Sequence, residues 1–493
     1  MIEYREPEFD FRAPLLLVQR ADYQIVPTAT YRNDFMRDRD RVLYCNAFRR
    51  LSGKTQIYLT GSDDHRRNRL THTLEVSQIA RTISKALKLD CELTEAIALA
   101  HDLGHAPFGH AGEQILHEIM VPESRINIKD SPMNNRVLTG NPRKDALKTR
   151  PLYGFKHNVQ SVRMVTALED SYGIHGLNLT NYTLWGIEHH SSLAYKPTRV
   201  NVSSEYLDPT YRLKYSKDLS QKDSEEEAWS FEAFVVAQAD EIAQWHHDLE
   251  DALRSGAMTL KQVCEKLQDE LLIDDILTDN DRNVLSELCK HNRVHREDLA
   301  AISHIVVNNF VTRIIDCSIF NLELLWKKYV LEKGTNVETE RINFFRDQKW
   351  SSEEIKNAIG FRRLEKDDGK GENIHKRFST IISENIHHSY EVERMNAKGQ
   401  YIIRKLFQAY FSHPQQLPDP IVVHYMVSIK EYQSLQEARE HGIGTVRAKF
   451  AEFSSNLEAF TLEKQIALMR HICDYIAGMT DHYAVEEYGR LYE

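Results

Sequence analysis

Residues 92 to 103 of this 493-residue chain read as a nearly all-apolar helix carrying Leu93, Ile97, Leu99 and Leu103, and close to its end stand an adjacent histidine and aspartate, His101 and Asp102. A helix apolar on every side belongs in a core. A carboxylate taken there costs several kcal/mol unless it is paired or bound to a metal. The fold must therefore bring partners to Asp102 from other segments. An adjacent His-Asp pair offers an imidazole nitrogen and a carboxylate oxygen to one ion, and such mixed sets suit Mn, Fe, Zn or Mg. The segment continues to Glu113 as HDLGHAPFGHAGE, adding His105, His110 and a second carboxylate. That density of ligands and proton carriers points to a metal-dependent hydrolase.

The flanking sequence is helical. Leu70, Leu74, Val76, Ile79, Ile83 and Leu87 form one apolar stripe over 70–88, with His72 at its first turn. Gly104 to Gly112, with Pro107, bends or breaks the chain before Glu113 and Ile115 resume a helix. Val159, Val162, Val165 and Leu168 mark another helix, and residues 184–190 a further one. From Phe231 to Leu253 a strong helix carries Asp240, Gln244, His247, Asp248 and Asp251 at spacings of three and four, away from its apolar face. Polar stretches at 121–154 and 196–227 read as long loops or mobile insertions, and the pattern from 259 onward stays helical except at 365–373. With only 20 glycines and 13 prolines, the chain is expected to be all-α. Its length exceeds one core. It divides into an N-terminal segment (1–30), a metal-dependent catalytic domain (31–255) and a helical C-terminal region (256–493) that closes the pocket and makes oligomer contacts.

Six cysteines without a CxxC pair read as reduced thiols, the N-terminus lacks a secretory pattern, and no stretch approaches the roughly 18 apolar residues of a membrane span. The expectation is a soluble, cytoplasmic protein. A net charge of −10 argues against general nucleic-acid coating. Cations nevertheless concentrate between residues 31 and 69, including Arg49, Arg50, Lys54, Arg66, Arg67 and Arg69. They suit a polyphosphate clamp or, equally, a solvated basic face. No GxxxxGK phosphate loop is present, so phosphate handling would fall to Arg, Lys and metal.

A helical metal site draws ligands from several helices, and His72, His101, Asp102 and Asp240 stand in helical or helix-end positions. Alone, His72 would serve as well as a capping residue and Asp240 as a solvated carboxylate. The adjacent pair tips the reading toward a metal. His110 and Glu113, three apart, would share a helical face, where a carboxylate orients an imidazole and raises its pKa; a surface His-Glu pair is the alternative.

Six segments in order resemble the HD-domain superfamily and, within it, the bacterial deoxyguanosinetriphosphate triphosphohydrolases: YRNDFMRDRDRVLYCNAFRRLSGKTQIY (31–58), RLTHTLEV (69–76), HDLGHAPFGHAGE (101–113), FKHNVQSVRMV (155–165), ADEIAQWHHDLEDAL (239–253) and DYIAGMTDHYAVEEY (474–488). The resemblance spans most of the chain. It implies metal ligands at His72, His101, Asp102 and Asp240, and a catalytic His110 with Glu113 as acidic partner. It further implies phosphate contacts from Arg69 and His157, a deoxyribose contact from Gln56, and a sugar-side carboxylate at Asp248. Arg50, from the cationic run, joins this substrate-binding set. Related enzymes place a sugar-selecting Tyr four residues after the last metal aspartate; here that position is Gln244.

The implied reaction is hydrolysis of a dNTP, dGTP first, to deoxynucleoside and triphosphate. Water of lowered pKa on a divalent metal, Mn or Mg first with Fe, Co or Zn also suited, attacks the α-phosphorus while His110 protonates the departing oxygen. The shared HD core also supports a phosphodiesterase or 5′-nucleotidase. A nucleotide or single-stranded DNA sensor would use the 31–69 cations as a binding strip. By analogy with relatives, a homo-oligomer and an activating nucleotide are further expectations.

Overall fold

The structure, a computed structural model, describes residues 31–56, 67–120, 154–169, 176–191, 230–272, 276–333, 352–364, 389–454 and 462–492, with the short pieces 11–12, 18, 20, 171–172, 194–195, 200–201, 377–378 and 380–381. Among them the α-helices are, in chain order, α1 (Asp34–Tyr44), α2 (Asn46–Arg50), α3 (Arg69–Ala86), α4 (Cys91–Ala100), α5 (Gly109–Met120), α6 (His157–Arg163), α7 (Asn181–His189), α8 (Glu232–Ser255), α9 (Leu260–Leu272), α10 (Asp279–Leu288), α11 (Arg296–Lys333), α12 (Ser352–Ala358), α13 (Tyr390–Ser412), α14 (Asp419–Ser428), α15 (Leu435–Glu440), α16 (Ile443–Ser454), α17 (Leu462–Ala477) and α18 (Asp481–Tyr492). Ala194–Tyr195 and Val200–Asn201 form a two-residue antiparallel pair. The fold is all-α in class, as expected. Nearly all of the loops expected at 121–154 and 196–227, and the segment at 365–373, lie outside the described residues.

Local sequence sets the helix starts. Asn33 accepts from Met36 N, Asn68 forms a capping box with Thr71, and Asp90 accepts from Leu93 N. These side chains satisfy backbone N–H groups that a first turn leaves open. The helix expected over 92–103 instead ends at Ala100. Ser161 Oγ donates to His101 O at 2.7 Å and accepts from Gly104 N at 2.8 Å, so the chain turns to meet α6. A positive φ at Phe108 and Gly109 (62° and 58°) then starts α5 earlier than the Gly-Pro pattern suggests, placing His110 inside it.

Three apolar clusters organise the helices. The first joins α1, α3, α4 and α8 to α9–α12. It runs straight across the boundary expected at residue 255: the Trp245 ring lies 4.9 Å from Phe310, 5.8 Å from Phe361 and 5.2 Å from Phe378. The second packs α5 against α13–α18, and the third surrounds α2, the end of α4, α6 and α7. The 101–109 segment thus lies between cores. Contrary to expectation, one helix is long and apolar enough to cross a membrane, over Arg296–Lys328, but 56% of its apolar window is buried in the protein. Phe310 and Ile314 of that helix belong to the first core. All six cysteines are free.

Candidate active site

Helices α3, α4 and α8 pack against one another. Their contact brings four side chains together. His72 Nε2 lies 2.8 Å from Asp240 Oδ1, and His101 Nε2 lies 3.4 Å from Asp102 Oδ1 and 3.7 Å from Asp240 Oδ1. His101 Nδ1 is fixed by the Ala98 carbonyl at 2.6 Å, so it donates there and leaves a lone pair on Nε2. That Nε2 is buried and has no hydrogen bond. Burial opposes charge on His101, yet Asp102 and Asp240 raise its pKa to about 9. Carboxylates that attract a proton this strongly attract a metal cation as well. The set His72, His101 and Asp102, with Asp240 beside it, fits a divalent ion in donor type, in convergence and in charge.

A second group shares Asp102. Its Oδ2 accepts from Arg69 Nη1 at 2.5 Å, and its Oδ1 lies 3.2 Å from His105 Nε2. Burial opposes its ionisation, but His101, His105 and Arg69 hold the carboxyl well below the usual range. His105 stacks on His157 at 4.1 Å, and His157 Nδ1 donates to Glu113 Oε2 at 2.8 Å. Burial also opposes the Glu113 carboxylate, which His157, His105 and His110 nevertheless keep ionised. His110 is the exposed member, its ring 5.6 Å from His105 and 6.5 Å from His157. Crowding by protein, Arg69 and His157 lowers its pKa, with Glu113 opposing. The Glu113 hydrogen bond goes to His157 and not to His110 as expected, while Glu113 and His110 still act on each other electrostatically.

Distant segments pin this group. Buried Lys54 donates to the carbonyls of His105 and, at 2.8 Å, of Ala477. Asp481, at the start of α18, accepts from Phe108 N at 2.9 Å, from Thr55 N at 2.8 Å and from Thr55 Oγ1. Asp474 holds Gln160 and Arg163 of α6, each at 2.9 Å or less. The C-terminal region therefore fixes the 105–109 turn and α6 in place.

The substrate-side candidates scatter. Arg69 lies in the group, and Gln56 is close, with the position a Gly109 Cβ would take 3.3 Å from Arg69 Nη2 and 3.4 Å from the Gln56 carbonyl. Gln56 Oε1 is buried without a hydrogen bond. Gln244 lies one turn beyond Asp240 and is half-buried, while Asp248 lies roughly 12 Å along α8 from Asp240 and is fully buried. Arg50 faces elsewhere: it pairs with Glu169 at 3.5 Å and lines a separate cavity of about 600 Å³ with Met164, Asp474 and Tyr483. Several cations of the 31–69 strip are taken up by carboxylates, Arg32 and Arg39 by Asp40 and Arg67 by Glu75 and Glu250. Sequence reasoning missed His190, whose ring lies 5.1 Å from His101 with a buried Nε2 lacking a hydrogen bond. It also missed Lys54 as a buried group, and the contact of Glu75 with His247. The last had a legible signal, since Glu75 is three residues from His72 and His247 seven from Asp240.

A domain described as HD domain matches residues 69–245, and one described as phosphohydrolase-associated domain matches 373–440 and 420–490. The chain is 30% identical over 464 residues to a deoxyguanosinetriphosphate triphosphohydrolase-like protein of Geobacter metallireducens, covering 94% of this chain and 89% of that one. Proteins of the same description from Ralstonia nicotianae (31% over 474 residues, 94% and 90%) and Rickettsia bellii (31% over 471 residues, 95% and 94%) are similar over the same span. A buried His/Asp cluster at the junction of three helices, inside the matched segment of a chain alike from end to end, makes this protein an HD-domain phosphohydrolase of the deoxyguanosinetriphosphate triphosphohydrolase-like family.

Proposed function

We propose that the chain is a divalent-metal-dependent dNTP triphosphohydrolase that cleaves dGTP to deoxyguanosine and inorganic triphosphate, with Mn or Mg as the ion. One observation carries the reading. Asp102 belongs both to the ligand set and to a histidine-rich group with Arg69, so a phosphate held beside Arg69 would lie against both. The names of the full-length relatives supply the substrate class.

His72, His101, Asp102 and Asp240 would hold the ion, which supplies Lewis-acid polarisation of a phosphoryl oxygen and water of lowered pKa. Two carboxylates and two neutral imidazoles balance a dication. Arg69, anchored on Asp102 by one nitrogen, keeps the rest of its fork for phosphate oxygens. Its Nε is buried without a hydrogen bond. His157, steadied by Glu113 through Nδ1, presents its other nitrogen to the triphosphate. His110 acts as general acid toward the departing 5′ oxygen. Without substrate, burial first, and then Arg69 and His157, disfavour its protonated form; a polyanionic triphosphate would offset the charge part of that and favour it. Gln56 offers a buried acceptor to the sugar.

The test is ion chromatography of products from each dNTP, alone and mixed, with Mn and with Mg. Triphosphate plus deoxynucleoside, with dGTP turned over fastest, is the expected result. Pyrophosphate or orthophosphate would move the chain to the phosphodiesterase or 5′-nucleotidase reading.

A further inference from the structure

We infer that Glu75 and His247 are positioning residues that hold the His72 hydrogen on Nδ1 and so support its Nε2 as a metal ligand; the inference rests on the proposed ligand role of His72. The two helices interlock at this point. On α3, Glu75 follows His72 by three residues, and on α8, His247 follows Asp240 by seven, so each pair lies along one helix face. His72 Nε2 meets Asp240 Oδ1 at 2.8 Å, and on the opposite side of the ring His72 Nδ1 lies 3.3 Å from His247 Nδ1. His247 Nε2 reaches Glu75 Oε2. Glu75 is itself held by His246 Nε2 at 3.1 Å and Arg67 Nε at 3.2 Å. His72 and His247 are buried, so no solvent competes for these nitrogens.

With an ion in place of a hydrogen on His72 Nε2, where the 2.8 Å contact with Asp240 would otherwise draw one, the proton count has one solution for two neutral rings. A carboxylate only accepts, so His247 carries its hydrogen on Nε2 and donates it to Glu75. His247 Nδ1 is left with a lone pair and accepts from His72 Nδ1–H. The remaining lone pair of His72 sits on Nε2, facing Asp240 and His101. An imidazole ligand ordinarily has its second nitrogen fixed by a carboxylate or carbonyl; here the carboxylate acts through an intervening histidine. The same count decides against a competing arrangement. Glu75, His246 and His247 are close enough to hold an ion of their own. An ion there would take the His247 Nε2 lone pair, move its hydrogen to Nδ1, and force the hydrogen of His72 onto Nε2. His72 could then not ligate, so the relay and a second ion at Glu75 exclude each other.

The experiment measures Mn²⁺ affinity of the full chain by competition with a fluorescent chelator, Mn²⁺ stoichiometry by elemental analysis, and unfolding of the metal-free chain. His101→Ala tests the ligand reading by itself and should lose the site. His247→Leu is expected to weaken Mn²⁺ binding by about 10- to 100-fold. His247→Gln, whose side-chain carbonyl still accepts from His72 Nδ1–H, should recover most of it. Glu75→Ala, at a side chain 36% exposed and so tolerant of truncation, should weaken binding with the metal-free fold unchanged. Loss in His101→Ala with wild-type affinity in His247→Leu and Glu75→Ala would overturn the relay alone. So would a glutamine variant no better than leucine, or one Mn²⁺ fewer in Glu75→Ala than in the wild type. Equal binding by wild type and His101→Ala would instead overturn the ligand reading.

Discussion

Replacing Gly104 by alanine should impair turnover while leaving every functional side chain in the sequence. A Cβ at this position would stand 2.2 Å from Ser161 N, 2.4 Å from His157 O and 2.5 Å from Gln160 C, all backbone atoms of α6. Ordinary contact requires about 1 Å more, and backbone of a helix cannot rotate aside as a side chain does. Helix α6 must therefore retreat by about that distance, stretching the bonds that Ser161 Oγ makes to His101 O and Gly104 N. Overpacking of this kind costs about 1–3 kcal/mol. His157 travels with α6, away from Asp102 and Glu113, and a displacement of about 1 Å at a reacting centre costs roughly 100-fold in rate. The assay pairs steady-state dGTP hydrolysis with Mn²⁺ content and urea unfolding. Expected are a folded chain, a lowered urea midpoint, retained metal and a rate down about 100-fold. Turnover within twofold of wild type would refute the argument that α6 is positioned by this contact.

His110→Ala should bind metal and nucleotide but lose about 100-fold or more of turnover, the usual worth of a general acid; wild-type rates would remove it from the mechanism. Asp102→Ala should lose metal by elemental analysis, because the ligand set and the anchor of Arg69 go together. Burial, with Arg50 and Arg69 nearby, holds the Lys54 pKa down to about 7 against the opposing pull of Asp481 and Asp102, from an ordinary 10.5. Between those values the unfolded chain binds the extra proton, so stability from this group rises with pH across that window. Urea midpoints of wild type should accordingly rise from pH 7 to 9 relative to Lys54→Met, and parallel midpoints would contradict the assignment.

Apolar spacing made the helices of the first half readable, and four ligand candidates converge, because a buried His-Asp pair in an apolar helix forces partners into place. Helix ends were less legible. The stop at Ala100 depends on Gly104 touching α6, a contact some 57 residues distant in sequence that no local pattern encodes. Arg50 looked like a phosphate clamp from its neighbours, but its direction is set by Glu169, which also accepts from Ala47 N at 2.7 Å. Lys54 and Asp481 were invisible for the same reason. Each is an ordinary charged residue until the C-terminal helices close over the 105–109 turn. The hydrogen bond of Glu113 to His157 likewise depends on a contact distant in sequence, where spacing alone favoured His110.

Hydrolysis of dGTP in water enriched in ¹⁸O tests the central claim most directly. Attack of water on the α-phosphorus places one ¹⁸O in the released triphosphate and none in deoxyguanosine, which is the expected mass spectrum. Label in orthophosphate or pyrophosphate, or in the deoxyguanosine 5′ hydroxyl, would contradict it.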